Sequence, residues 1–271
     1  MERGWMLLSC YARFRIRFTT QRAGSLEDLI EVYRRVLLAR AAEDVASQRA
    51  AFRLRYNVYC VERGFEDISR YPERMEWDSH DEHARHVLVR ARSRPGGVVG
   101  ASRLVVDTAC QGALPIESHG SVSVCRQLAY VREHPDTRLA EVSRLAVTRE
   151  FAEVLHPAAL PARLRSQHVT LGLLALLFQQ SWHAGVTHWV ALLETTLLRA
   201  LARFGFHCHP IGTVIEHRGA RQPVIARLAD LWGGVRAQGQ PLAALASELG
   251  VPCDAQWSLP REATADGKEM G

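Results

Sequence analysis

The chain has 271 residues, of which 47% are hydrophobic and 23% charged, enough apolar sequence for a buried core and too much for a disordered segment. Its formal charge of +5 is small for the length and lies in no long basic block, which argues against nucleic acid as the partner while allowing a local anion site. The N-terminal apolar run Trp5-Met6-Leu7-Leu8 is too short for a signal sequence and no stretch approaches the roughly 18 residues of a membrane span, so the expected location is the cytoplasm.

Lys268 is the sole lysine. Every cation in the body of the chain is therefore arginine, suited to planar recognition of carboxylate or phosphate, and a lysine base or Schiff base is not the expected mechanism. Six cysteines are scattered without C-x-x-C pairs or zinc-ligand spacing, as expected of buried thiols in a reducing compartment.

In chain order, residues 14–18 alternate apolar and basic side chains as a first strand. Ser25 is expected to cap a helix carrying Leu29, Val32, Tyr33, Val36 and Leu37 at helical spacing, and a second helix is expected over 44–59. A polar loop follows as far as Asp81. Strands over 86–92 and 97–107 flank the turn Arg94-Pro95-Gly96-Gly97. A further strand covers 139–147, an apolar helix 169–184, a buried strand 189–193 and a short helix 197–204 that ends at Gly205. Strands at 212–218 and 223–228 complete the domain, taken as residues 1–233, with 234–271 a tail of unassigned role. The order describes an α/β arrangement with a mixed sheet.

Seven charged residues stand out in ordered groups: Arg55, then Glu76-x-Asp78-x-x-Asp81, then Arg103 in Gly100-Ala101-Ser102-Arg103-Leu104, then Glu141 and Arg144 in Glu141-Val142-Ser143-Arg144. This pattern resembles the autoinducer (acyl-homoserine-lactone) synthases. Residues 54–65 and the stretch Glu216-His217-Arg218-Gly219-Ala220-Arg221-Gln222-Pro223 resemble the acyltransferases associated with the PEP-CTERM/exosortase system, close in kind to the N-acyl amino acid synthases. The resemblance implies a GNAT-like fold: a mixed, mostly antiparallel central sheet with a splayed, bulged central strand, flanked by helices. Trp77 stands inside the acidic run and the interval from Arg103 to Glu141 is long; both departures favour an amino acid acceptor over S-adenosylmethionine.

Acyl transfer to an amine needs a group to remove the amine proton and donors for the developing oxyanion. Glu141 is the candidate base, with backbone N–H groups from Ser143 through Arg144 to Leu145 as oxyanion donors. Glu76, Asp78 and Asp81, with Trp77 among them, are candidates for the acceptor's ammonium. Arg55, Arg103 and Arg144 would bind its carboxylate or brace the acids. Residues three apart on a regular strand face opposite sides, so a β-bulge near Val142 or Ser143 is required to bring Glu141 and Arg144 to one cleft.

Residues 163–172 lack the glycine-rich pyrophosphate loop of acetyl-CoA enzymes. The expected co-substrate is therefore an acyl carrier protein thioester, with no permanently bound cofactor. Arg163 and Arg165 are the candidate carrier contacts, helped by Arg199 and Arg203, and Leu171, Leu174, Leu177 and Phe178 are candidate acyl-pocket residues. The triplet His80, His83 and His86 and the run His207-Cys208-His209 are read as structural rather than as metal sites. The expected function is transfer of a fatty acyl group to the α-amine of an amino acid. The alternatives are acyl-homoserine-lactone synthesis and a non-catalytic module binding acyl chain or carrier protein.

Overall fold

The computed structural model describes residues 26–94, 96–108, 112–149, 166–237 and 241–257; the expected first strand, the Ser25 cap, Arg163 and Arg165 lie outside them. Helix α1 (Leu26–Arg35) buries Leu29, Val32 and Tyr33 on one stripe. The chain then turns directly into β1 (Leu37–Ala41), which pairs antiparallel with β2 (Arg85–Ala91). Leu37, expected as a helical position, is thus a strand residue. The segment Leu37-Leu38-Ala39-Arg40-Ala41 consists of good helix formers, and pairing with β2 overrides that preference.

Asp44 caps α2 (Val45–Tyr56) by accepting a hydrogen bond from the Ser47 backbone N–H at 2.8 Å. The expected helix over 44–59 continues as a π-helical turn, Asn57–Glu62, and this carries Tyr59. β2 and β3 (Val98–Val106) form the anticipated hairpin. Two helices that the sequence reading did not find, α3 (Pro115–His119) and α4 (Val122–Arg132), occupy the long interval before β4 (Leu139–Val147).

Helix α5 (Ser166–His183) is buried nearly all round, as befits a helix enclosed between sheet and outer helices. Tyr33 packs over Gly172 so closely that a Cβ there would lie 1.7 Å from the phenol oxygen, and that hydroxyl donates to the His168 carbonyl at 2.9 Å. β5 (His188–Glu194) and α6 (Thr195–Ala202) follow, and Gly205, at φ +82°, supports the left-handed turn beyond α6. The terminal strands are shorter and longer than expected: β6 (His209–Pro210) and β7 (Ile215–Glu216) are brief, while β8 spans Ala220–Arg227.

The eight-stranded sheet runs β1-β2-β3-β4-β5-β8-β6, with β7 on β8. All pairings are antiparallel except β4 with β5. That parallel pairing holds only from Leu139↔His188 to Glu141↔Val190, although both strands continue. Beyond Glu141 they part, and this is the expected splay. The expected domain limit at residue 233 falls within α7 (Leu228–Ala237). α7 and α8 (Pro241–Glu248) place Leu231, Trp232, Leu242 and Leu245 in the same core as α1 and α5, and Trp257 joins them.

Candidate active site

The site begins with a defect in β4. Ala101 pairs with Ala146 but Arg103 pairs with Ser143, so the single residue Ser102 on β3 faces both Arg144 and Leu145. Arg144 adopts φ +54°, the left-handed conformation of the extra residue in one type of β-bulge. The bulge lies one residue beyond the positions anticipated. It places Glu141 and Arg144 on the wall of one cavity.

Around the bulge the charged residues form a closed ring. Arg55 joins Glu76 (Nε to Oε2, 2.5 Å) and Asp81 (2.7 and 2.9 Å, both terminal nitrogens). Arg103 joins Asp81 (2.8 Å) and Asp78 (2.6 and 3.0 Å). Arg144 closes the circuit by joining Asp78 (3.0 Å) and Glu76 (3.0 Å). Each arginine thus bridges two acids and each acid two arginines, so the six formal charges cancel. Arg55, Glu76 and Arg103 are fully buried and Asp81 nearly so. Burial acts to raise the Asp81 carboxyl, yet the hydrogen bonds and charges of Arg55 and Arg103 hold it well below the carboxylate range. Asp78 is lowered in the same way, chiefly by Arg103 against its own burial. A ring so neutralised survives burial because every charge has two partners.

The ring also fixes the loop that supplies it. Asp78 caps a 3-10 turn (Ser79–Glu82) while Asp81 reaches back to the Asp78 N–H at 2.8 Å. His86, beneath the loop, has its Nε2 3.1 Å from the Asp81 carbonyl, and burial keeps its ring neutral. Among the described residues no cluster of His, Cys, Asp or Glu has the arrangement of a metal site.

Glu141 stands apart from the ring. It is 3% exposed and makes no ion pair among the described residues; its Oε2 instead accepts the Ile116 backbone N–H at 2.6 Å. Burial pushes its carboxyl up to about 7, against the lowering effects of that hydrogen bond and of Arg103 and Arg144. Ser143 accepts from Arg103 Nε at 3.0 Å through its hydroxyl.

The cavity, of about 390 Å³, opens where β4 and β5 separate. Its polar end holds Asp78, Arg103, Glu141 and Arg144, with Arg63, Arg218 and Arg221 nearby. Its far end is apolar, formed by Leu174, Trp189, Leu201, Phe206, Ala226 and Leu231. Of the anticipated acyl-pocket residues only Leu174 lines it. Phe178 is instead the hub of an aromatic cluster with Trp189, Phe206, Trp232 and Trp257. Arg55, Glu76 and Asp81 sit behind the wall, outside the cavity lining. Trp77 is 53% exposed and does not line the cavity. Two residues that the sequence reading left without a role, His119 on α3 and His217 after β7, stack at the mouth with ring centres 4.4 Å apart. Only the basic, histidine-containing 216–223 stretch hinted at this.

These features are those of the GNAT-like acyltransferase fold, and residues 54–160 match the model of an acetyltransferase (GNAT) domain. The chain is an enzyme of the acyltransferase class. Similar solved structures are FeeM, an N-acyl amino acid synthase from uncultured soil microbes (15% identity, 75% of this chain and 98% of that one, TM-score 0.52), and the acyl-homoserine lactone synthase LasI (19%, 73% and 96%, TM-score 0.52). A third is BjaI, a CoA-dependent acyl-homoserine lactone synthase, in complex with SAM and isopentyl-CoA (22%, 79% and 99%, TM-score 0.52). No curated protein is matched by sequence. No helix among the described residues is long and apolar enough to cross a membrane.

Proposed function

We propose that the protein transfers a fatty acyl group from a carrier-protein thioester to the α-amino group of an amino acid. The observation that carries this reading is Glu141: a buried carboxyl without an ion partner, raised to about 7, at the junction of a charged and an apolar half of one cavity. Such a group is poised to accept a proton near neutral pH.

On this reading the acyl chain occupies the apolar half and the thioester carbonyl lies at the splay. Glu141 takes one proton from the acceptor ammonium, directly or through a water. The free amine attacks the carbonyl carbon, the C–S bond breaks, and the amine's second surplus proton leaves with the thiol. The N–H groups at the Arg144 bulge, where a ladder position is unpaired, steady the oxyanion. The acids of the ring are already paired with arginine, so Glu76, Asp78 and Asp81 brace the wall and only half-buried Asp78 reaches the acceptor.

An S-adenosylmethionine acceptor would carry a sulfonium charge into a cavity lined by Arg221, which makes no ion pair among the described residues. Like-charge crowding disfavours it, and a plain amino acid carries no such charge. For the donor, α6 turns Leu197 and Leu201 into the cavity and leaves Arg199 and Arg203 exposed on its outer side, a cationic face suited to an acidic carrier protein; Arg163 and Arg165 belong to the same proposal. The likeness of residues 54–65 and 216–223 to exosortase-associated acyltransferases adds that setting.

The test is mass spectrometry of extracts from cells expressing the chain, followed by assay of the purified protein with acyl-carrier-protein and acyl-CoA thioesters. N-acyl amino acids are the expected products. Acyl-homoserine lactones without acyl amino acids would overturn the assignment, and no acyl product would point to a binding module.

A further inference from the structure

The arginines anticipated to hold the acceptor's carboxylate are committed to the ring. In Arg55 and Arg103 all three guanidinium nitrogens are engaged, and in Arg144 Nε and one terminal nitrogen are. On the same cavity, the Glu216–Pro223 stretch forms a hairpin. β7 and β8 pair as Ile215↔Arg221 and Glu216↔Ala220, leaving His217-Arg218-Gly219 as the loop. Arg218 and Gly219 adopt φ +55° and +104°, as a three-residue hairpin loop with left-handed positions requires.

Each polar group of this hairpin is held in place. Glu216 accepts the Gly219 N–H at 3.1 Å, Arg218 pairs with Glu66, and His217 stacks on His119. Arg221 donates from Nε to the His217 carbonyl at 2.7 Å. Its terminal nitrogens make no hydrogen bond among the described residues, and Arg221 lines the cavity. Its register partner on β5, Glu194, also lines the cavity, but it accepts from the Thr196 hydroxyl at 3.0 Å rather than from Arg221. Among the described residues Arg221 has no carboxylate partner. Burial lowers its hold on its proton, with Arg218 and Arg63 acting in the same sense and Tyr59 and Glu194 against them.

We infer that Arg221, set by the strained β7–β8 hairpin, is the residue that binds the acceptor's carboxylate in the cavity where Glu141 receives its amine. The inference rests on the proposed amino acid acceptor. A guanidinium with one nitrogen anchored and two presented matches a carboxylate with a paired, planar fork. The imidazoles of His119 and His217, kept neutral by partial desolvation and the nearby arginines, add no competing charge.

The experiment is steady-state kinetics of the full chain with lauroyl-carrier-protein and lauroyl-CoA as donors, and with the standard amino acids and their amides as acceptors. Wild type is expected to prefer acids to amides. Arg221→Gln is expected to raise the acceptor KM by about 10–100-fold, the worth of charge-assisted hydrogen bonds, to erase the acid-over-amide preference, and to leave the donor KM unchanged. A raised donor KM with an unchanged acceptor KM would assign Arg221 to the donor's phosphate and overturn the inference, as would no change in either. If a thermal melt shows the Gln variant unfolded, Arg221→Lys keeps the charge without the fork. It is expected to raise the acceptor KM by a smaller factor, and an unchanged value overturns the inference. A wild type that acylates amides as readily as acids overturns the carboxylate site alone. One that acylates no amino acid overturns the proposed function instead.

Discussion

The Ile116 backbone N–H and Glu141 Oε2 are joined at 2.6 Å, which ties the first turn of α3 to the end of the paired part of β4. One carboxylate oxygen is thereby anchored and the other is left to the cavity. The consequence is a base whose orientation depends on a helix far from it in sequence.

Replacing Glu141 by Gln keeps the acceptor oxygen for Ile116 and removes the base. Turnover should fall by about 10²–10⁴-fold, the usual range for a positioned acid–base group. In the wild type the rate should rise with pH through about 7, as the carboxylate form appears; the variant should lack that limb. A pH–rate profile checks both.

The same substitution should alter stability in the opposite sense. The Glu141 carboxyl is raised on folding, so the folded state holds a proton that the unfolded state releases at lower pH. Stability from this group is therefore full below the ordinary glutamate value and declines as pH rises toward about 7. Glu141→Gln should melt above wild type at pH 8, by about 2–4 °C for each kcal/mol relieved, with a smaller difference at pH 5. Calorimetry at the two pH values decides it.

Arg55→Ala should destabilise the fold by about 3–5 kcal/mol, because it leaves Glu76 and Asp81 buried with a partner missing. Asp78 and Asp81, both lowered by their arginines, supply stability that is present above the ordinary carboxylate range and is lost as pH falls below it. Urea unfolding at neutral and acid pH should show the variant losing less than wild type on acidification.

Ala226→Phe should fill the apolar end of the cavity. Ala226 faces Trp189 in register across β5 and β8, and both line that end. The longest acyl chain accepted should shorten while shorter thioesters are still turned over. The mass distribution of products from mixed thioesters measures this.

Trp77→Ala should leave kcat and KM within about twofold, since surface changes away from buried features have small effects and Trp77 is exposed outside the cavity. A larger loss would show that the acidic run touches the acceptor directly.

Much of this was legible in the sequence for identifiable reasons. Strands 85–91, 98–106 and 139–147 are written in period-two apolar alternation or continuous apolar runs, and the need for Glu141 and Arg144 to share a cleft implied the bulge. The charged residues around it were found as a set, but their pairing was not. Nothing linear says that Arg55 meets Glu76 and Asp81 rather than a substrate. β1 was hidden because its helix-forming residues become a strand only through β2. α3 was hidden because Pro115 and the Glu117 carboxylate, which accepts the Leu114 N–H, sit in a polar stretch. Trp77 drew notice by its place inside the acidic run, whereas Arg221 emerged only once the other arginines had been matched with acids.

The ring of three arginines and three acids has a further consequence, for the cost of binding. It links α2, the 76–82 loop, β3 and the β4 bulge before any substrate arrives. That wall is therefore ordered in advance, and an incoming acceptor loses its own freedom without having to freeze the protein's.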